Sequence, residues 1–365
     1  MSATLRVVDA GLAGGRYNIA LDAAMLELHQ SGEIGDSLRF IHFRPSALVG
    51  RHQELSTEVD LPHCRERGIE VGRRITGGGA IYLDEGQLGW ALVFARRALA
   101  GATLADLARA ICEAAAAGLG RLGVAARFRP RNDIEIDGRK VSGTGGFFDG
   151  DSLIYQGTVL IDTDPLAMTG ALRIPQAKIA KRGLDSAAAR VVTLRELLGE
   201  RTPSVAEVEQ ALLDGFTERL GFRFRREPLS AAERDCADRL YETEIGRDEF
   251  VAEIDGPAVQ AEASVGRYAA PGGTITAYLR REGTAGQRIA QVLITGDFFI
   301  APPRLIFDLE SRLRGVDAAS AGEAVEAFFA MRPPGTATVT PVDLRRAIEA
   351  ALASGPDRAG DGAPA

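Results

Sequence analysis

The sequence predicts an α+β protein: mixed β-sheets flanked by helices in a large N-terminal part, with a smaller α+β module near the C-terminal end. Three observations lead there. Helical and strand-like segments follow one another as helix, short strands, helix, strands, without regular βαβ alternation. At 365 residues, the chain exceeds one typical domain and most simply divides in two. From about Glu249 the texture changes to consecutive strand-like runs followed by helix-like ones, which marks a separate unit.

Within residues 17–30, Ile19, Ala23 and Leu26 recur at helical spacing with Ala20 beside them, predicting a first helix. Leu38 to Phe43 and Leu48-Val49 read as short strands split by Arg44-Pro45-Ser46. Trp90 to Phe94 is an unbroken apolar run after Gly89 and predicts a buried strand. Leu104 to Leu122 is alanine-rich and helical up to Gly123, and Thr202 to Leu220 and Ser230 to Tyr241 predict two more helices. Farther on, Val259 to Val265, Gly273 to Arg281 and Ile289 to Gly296 predict strands, and Pro303 to Leu313 and Gly322 to Phe329 predict helices. Ser354 to Ala365 is dominated by Gly, Pro, Asp and Ala and predicts a disordered tail. The expected division is thus 1–240, 246–350 and a tail over 354–365.

Hydrophobic residues make up 45% and charged residues 25%, ordinary for a globular protein. The net charge of −7 argues against a nucleic-acid partner, which calls for a basic footprint. Arg127, Arg129 and Arg131, and Lys178, Lys181 and Arg182, form local basic clusters that read as solvated faces. Cys64, Cys112 and Cys236 are odd in number, far apart and without CxxC spacing, which argues against a disulfide framework or a zinc site. No apolar leader follows Met1, and no stretch approaches the ~20 apolar residues of a membrane span. A cytoplasmic protein without membrane contact is expected.

The run Arg73-Arg74-Ile75-Thr76-Gly77-Gly78-Gly79-Ala80-Ile81-Tyr82 is the most informative stretch. Glycine permits tight turns and close approach of backbone to a ligand, and arginine presents a planar fork of donors to carboxylate or phosphate. Taken alone, the run is equally a glycine-rich turn with two solvated arginines. A second constellation tips the balance. Asn132-Asp133-Ile134-Glu135-Ile136-Asp137-Gly138-Arg139-Lys140-Val141-Ser142-Gly143 carries Asp-Gly between two alternating runs, a strong hairpin signal. A two-residue loop pairs Ile136 with Arg139, Glu135 with Lys140, Ile134 with Val141 and Asp133 with Ser142. One face is then apolar, and the other gathers Asp133, Glu135, Lys140 and Ser142. The glycine-rich Ser142-Gly143-Thr144-Gly145-Gly146 follows directly, so two glycine loops, each beside cations, suit a charged ligand with Lys140 set against a developing oxyanion or phosphate.

Together these segments resemble the lipoate–protein ligase family, of the biotin/lipoyl protein ligase-like fold. The family's Arg-Arg-x-x-Gly-Gly-Gly-Ala run is matched by Arg73 to Tyr82, and its Asn-Asp and Gly-x-Lys-(Val/Ile)-Ser-Gly by Asn132, Asp133 and Gly138 to Gly143. Gln156-Gly157-Thr158-Val159-Leu160 is similar to its His-Gly-Thr strand, Gly50-Arg51-His52-Gln53 to its Gly-Arg-x-Gln, and Lys178 to Val191 to its lysine-rich segment. The agreement spans about residues 17–200. More loosely, Gln291 to Phe299 and Leu309 to Gly315 resemble the family's accessory domain.

What the resemblance implies is a two-step reaction. Lipoate or octanoate attacks the α-phosphate of ATP, with Mg²⁺, giving an acyl-adenylate. A lysine of an acceptor lipoyl domain, on a 2-oxoacid dehydrogenase E2, the glycine-cleavage H protein or a related protein, then takes the acyl group. By matching position, Lys140 contacts the adenylate and Arg74 pairs with the anion. Thr76 and Gly77, Gly78 and Gly79 let the backbone approach, and Ala80, Ile81 and Tyr82 line the nucleotide side. Asn132, Ser142 and Gly143 flank the adenylate, and Asp133 holds Mg²⁺ or orients the amine. Arg51, Leu83, Gln156 and Gly157 fall at pocket positions. Leu83 and Gln156 stand where the family commonly has histidine, which bears on acyl-chain or acceptor preference.

Two rivals share these motifs. An octanoyl or lipoyl transferase of the same fold works through a cysteine thioester without ATP and needs an activated thiol. None of the three cysteines occupies the stretch just before Lys140 or the stretch just after Arg173, where the resemblance places a transferase's cysteine. A non-catalytic lipoate- or acyl-adenylate-binding paralogue would keep the loops without turnover. A dinucleotide site is excluded, because no Gly-x-Gly-x-x-Gly follows a strand and opens a helix.

Overall fold

The computed structural model describes residues 4–96, 103–130, 132–173, 190–255, 263–284 and 286–354. Most of the expected Lys178 to Val191 match, Arg131, the start of the Val259 strand and the tail beyond Ser354 lie outside them. Two compact units divide the chain: Met1–Leu48, Thr57–Arg74 and Ile81–Val251 form one, and Val49–Ser56, Ile75–Ala80 and Ala252–Ala365 the other. The boundary expected between 240 and 246 therefore falls after Val251. Two short segments expected in the first part group with the second.

The first unit is built on a mixed sheet of eight strands in the order β11-β1-β2-β6-β10-β9-β8-β7. These are β1 (Thr4–Ala13), β2 (Ser37–Phe43), β6 (Gln87–Ala95), β7 (Arg127–Arg129), β8 (Asp133–Ile136), β9 (Arg139–Asp149), β10 (Ser152–Leu160) and β11 (Arg223–Arg226). β1 runs parallel to both β2 and β11, and the pairs from β2 through β7 are antiparallel. A smaller sheet joins β4 (Glu70–Arg73), β3 (Ser46–Val49) and β5 (Ile81–Leu83).

Strand alternation divides the apolar residues between two helix layers. Leu5, Val7, Leu38, Phe40, Trp90 and Leu92 meet the helices Leu104–Gly120 and Val205–Leu220 in the larger core. Val8 points the other way, to Leu21, Ala24 and Leu28 of the helix Gly15–Ser31 and to Cys236 and Ala237 of the helix Ala231–Leu240. Three of these helices start where the sequence offers side-chain oxygens to the first free N–H groups. Thr103 with Asp106, Ser204 with Glu207 and Ser230 with Glu233 each form a reciprocal capping box.

The two helices on the larger core cross closely because each carries small residues four apart. A Cβ on Gly118 would fall inside contact with the Ala211 carbonyl, and one on Gly215 with the Ala114 carbonyl. No side chain can yield there, since the obstructing atoms are backbone. Gly215→Val is expected to lower stability by about 1–3 kcal/mol, the usual cost of overpacking. A denaturant midpoint within error of wild type would contradict this crossing.

The second unit carries the antiparallel sheet β12-β13-β14 (Ser264–Ala270, Gly273–Glu282 and Arg288–Gly296) and a short β15–β16 pair (Ile300–Ala301 and Thr336–Ala337). The helices Arg304–Leu313, Ala321–Met331 and Pro341–Ala353 close over it, with Ile275, Leu279, Ile294, Leu309, Val325 and Ile348 in one core. The last helix, which the periodicity reading does not include, opens on a Thr340/Asp343 capping box. β1 is likewise an addition to the expected elements.

Within this unit, Glu310 accepts the Ile294 N–H at 2.7 Å. Burial, joined by repulsion from Glu253, pushes its carboxyl up to about 8. The folded chain thus keeps a proton that the unfolded chain releases near 4.5, so the associated stability is complete below about 4.5 and is lost as pH rises through about 8. The thermal midpoint should decline across that window in wild type and decline less in Glu310→Gln. An identical decline in the variant would rule Glu310 out as its source.

Candidate active site

The Asp-Gly hairpin forms as the sequence predicts. Asp137 and Gly138 occupy the turn with φ of 50° and 80°, the left-handed pair that such a turn requires. Ile136 pairs with Arg139 and Glu135 with Lys140, but the register then shifts, so that Ile134 faces Ser142 and Asp133 faces Gly143. Val141 is the extra residue of a β-bulge. The expected pairs Ile134 with Val141 and Asp133 with Ser142 are corrected accordingly. Val141 and Ser142 are both fully buried, and Ser142 lies opposite apolar Ile134 rather than beside Lys140. Its Oγ has no hydrogen-bond partner.

The bulge leaves Asp133, Glu135, Lys140 and Gly143 sharing the polar face. Lys140 Nζ stands 2.8 Å from Asp133 Oδ1. It reaches there by lying over Gly143, where any Cβ would come within 2.6 Å of the ammonium. The other side of the carboxylates faces β7: Arg129 is 3.9 Å from Asp133 and 3.6 Å from Glu135, and Arg127 is 3.2 Å from Glu135. The Lys140 carbonyl accepts the Val192 N–H at 2.9 Å, which holds the lysine's backbone while its side chain stays partly exposed.

Beyond Gly143 the next position on the same face is again a glycine. Gly145 follows two residues on, and a Cβ there would meet nothing within 4 Å. Gln156 pairs with Gly145 across to β10 and therefore shares its face. The result is a bare strip of sheet with Lys140 and Asp133 at one end and Gln156 at the other. Gln156 Nε2 donates to Asp22 Oδ2 at 2.5 Å, and Asp22 accepts from buried Arg39 at 2.6 Å. Burial raises the Asp22 carboxyl and the Arg39 guanidinium opposes that shift. Gly157 faces the opposite way, where a Cβ would strike the Trp90 ring, so it belongs to the core and not to the strip.

The strip is fixed from beneath. Asn132 and Thr144 exchange backbone and side-chain bonds: Thr144 N donates to Asn132 O and Asn132 Nδ2 to Thr144 O, each at 2.8 Å. Thr144 Oγ1 lies 2.8 Å from the Tyr155 hydroxyl and 3.2 Å from Cys112 Sγ. Thr144, Asp22 and Arg39 support the site but have no motif of their own. Only the alternation of β9 and β10, once the register is known, would point to them.

The remaining predicted residues divide between the units. In the first, the guanidinium of Arg73 donates to the Phe250 and Val251 carbonyls. Arg74 donates to the Leu48 carbonyl at 2.9 Å, and burial brings its pKa down to about 10. Ile81, Tyr82 and Leu83 form β5 against β3, and burial pushes the Tyr82 phenol up to about 12, helped by Asp84. In the second unit, Thr76 accepts the Arg51 N–H at 2.9 Å, and Gly78, at φ 93°, donates to the Phe298 carbonyl at 3.1 Å. A Cβ on Gly77 would lie 2.5 Å from that carbonyl, whereas one on Gly79 would meet nothing within 4 Å. Gly77 thus serves backbone packing, and Gly79 is the glycine of this run with open space beside it. Ala80 ends the same segment, and Arg51 pairs with Glu253 at 2.6 Å with its guanidinium over the Phe307 ring.

No cysteine stands in an activating environment. All three are buried. Burial, with Asp60 adding to it, pushes Cys64 up to about 11, and burial also raises Cys112 and Cys236. A reactive thiolate needs the opposite.

Comparison with known proteins identifies the family. The lipoyl protein ligase A/B catalytic domain family matches residues 15–217. An octanoyltransferase of Kyrpidia tusciae is 29% identical over 262 residues, covering 65% of this chain and 94% of that protein. The bipartite lipoate protein ligase of Thermoplasma acidophilum, solved in a study that includes its E2 lipoyl domain, superposes with a TM-score of 0.61 at 26% identity, over 70% of this chain and 99% of that one. A lipoate–protein ligase A bound with ATP gives the same TM-score of 0.61 at 25% identity, over 70% of this chain and 100% of its own. With the family matched across more than half its length and the biotin/lipoate ligase-like fold in place, the chain belongs to the lipoyl protein ligase A/B catalytic domain family.

Proposed function

We propose that this protein is an ATP-dependent lipoate–protein ligase, and the observation that carries the reading is the Lys140 ammonium lying over a side-chain-free strip beside Asp133, in a chain whose three thiols are all buried. Two further facts support it. The structurally similar ligase A was solved with ATP bound. The Kyrpidia tusciae octanoyltransferase aligns over 94% of its length with 65% of this chain, so that transferase is nearly spanned without the rest of this chain.

In the first step, a carboxylate oxygen of lipoate or octanoate bonds to the α-phosphorus of ATP, and the bond to the bridging oxygen breaks to release pyrophosphate. Lys140 meets the negative charge gathering on the phosphoryl and carbonyl oxygens, where fixed donors are worth most. Arg74 is assigned to the anionic end, and Asn132 and Gly143 to the adenylate. The bare surface at Gly143 and Gly145 gives the acyl-adenylate a place to lie, next to Gln156. Asp133 would hold Mg²⁺, an ion that commonly takes one or two carboxylates with phosphate and water and would supply neutralisation of the phosphate charge.

In the second step, an acceptor lysine amine bonds to the acyl carbon, the bond from that carbon to the AMP phosphate oxygen breaks, and the amine proton passes to solvent, with Asp133 orienting the nucleophile. The acceptor is a lipoyl domain of a 2-oxoacid dehydrogenase E2, a glycine-cleavage H protein or a related protein. Among the described residues, no helix is long and apolar enough to cross a membrane.

An octanoyl or lipoyl transferase is the second reading, favoured by the 29% identity to the Kyrpidia enzyme. Exchange of labelled pyrophosphate into ATP, dependent on lipoate, separates the two and also excludes a non-catalytic binder. Exchange is expected here and should survive Cys64→Ala, Cys112→Ala and Cys236→Ala made singly; its absence in wild type, with acyl transfer persisting without ATP, would favour the transferase. Lys140→Ala is expected to lower acceptor modification by about 10²–10³ with the melting temperature within a degree or so of wild type, because exposed ion pairs contribute about 0–1 kcal/mol. Near-normal modification by that variant would remove Lys140 from the chemistry.

A further inference from the structure

On the face of the large sheet away from the bare strip, three donor atoms converge from three elements. His42 Nε2 of β2 stands 3.5 Å from Asp9 Oδ2 of β1 and 3.6 Å from Glu209 Oε1 of the helix Val205–Leu220, and all three atoms lie within 4.8 Å of one another. These separations are long for hydrogen bonds. The two His42 distances match the edge, about 3.4 Å, of a tetrahedron whose bonds are about 2.1 Å.

The other oxygen of each carboxylate is already engaged. Gly11 N–H donates to Asp9 Oδ1 at 2.8 Å, and Arg226 donates to Glu209 Oε2 at 3.0 Å. Each carboxylate is therefore turned so that one oxygen is held by the protein and the other faces His42, which is how ligating carboxylates are commonly oriented. Glu209 is 6% exposed, yet its Oε1 makes no hydrogen bond at ordinary distance. The side chains of His42 and Asp9 are 22% and 41% exposed, so an ion has an entry path and room for water.

We propose that Asp9, His42 and Glu209 form a binding site for a single divalent transition-metal ion of the zinc type, with a protein-supplied imidazole and two carboxylates and a water at the open position. One imidazole with two carboxylates suits borderline ions of this class better than Ca²⁺ or Mg²⁺, which prefer all-oxygen shells. The ion would tie the β1 and β2 strands to the helix above them, at the end of the sheet remote from the hairpin's chemistry. The rival occupant of the same space is a proton on His42, bridging the two carboxylates as a local ion-pair cluster.

The test uses the full-length chain, stripped of metal with a chelator and titrated with Zn²⁺ against a chromophoric competitor. Wild type is expected to hold one more tight equivalent than His42→Ala, and Asp9→Asn to weaken that equivalent by more than the about 10- to 100-fold that losing a partner of a ligand costs. Zn²⁺ should also raise the thermal midpoint of wild type and leave that of His42→Ala unmoved. Co²⁺ loaded in its place should give the visible absorption of a four-coordinate ion. Equal zinc affinity in wild type and Asp9→Asn, or no tight equivalent in wild type, would overturn the site and leave the proton as its occupant. Asp9 is solvent-exposed enough for that substitution to be read even if His42→Ala fails to fold.

Discussion

The geometry of the site depends on one irregularity, the β-bulge at Val141 in the hairpin. A bulge places an extra residue on one strand and shifts every later side chain relative to its partner. Here it moves Ser142 against Ile134 and sets Gly143 opposite Asp133. The lysine then has a glycine to lie over and a carboxylate within 2.8 Å. In a regular ladder Ser142 would share the polar face with Lys140, and the ammonium would have a side chain in its way. The ion pair itself adds little to stability at this exposure. Its value is positional: it fixes where a cation stands.

Glycine serves two different ends in this chain. At Gly118 and Gly215 it lets helices touch backbone to backbone, and at Gly157 it makes room for Trp90. Gly77 likewise fits against the Phe298 carbonyl within the second unit. At Gly145 and Gly79, by contrast, a side chain would meet open space. A side chain at those two positions would not collide with the surrounding structure. Motif glycines are thus not equivalent, and the packing around each decides which are structural.

Much of the architecture is legible in the sequence because local causes set it. Helix starts are fixed by capping oxygens such as Thr103, Ser204 and Ser230, and the buried β6 strand by its unbroken apolar run. Asp137-Gly138 fixes the hairpin turn, since few other pairs accept two left-handed residues. The final helix carries an equally local signal in Thr340-Pro341 and Asp343. β1 is harder to read because it pairs in parallel with β2 and β11, so its partners are distant or offset in the chain.

What the sequence by itself determined is the family, through motifs that set Arg74, Asp133 and Lys140 among closely spaced glycines. Tertiary structure alone decided which face each residue takes, because a single bulge reverses the alternation from which faces are counted. It also decided that Gln156 is held by a buried Asp22–Arg39 pair, that Gly157 belongs to the core, and that Asp9, His42 and Glu209, far apart in the chain, meet at all. Residue type is a local property, but register and proximity follow from the packing of whole elements.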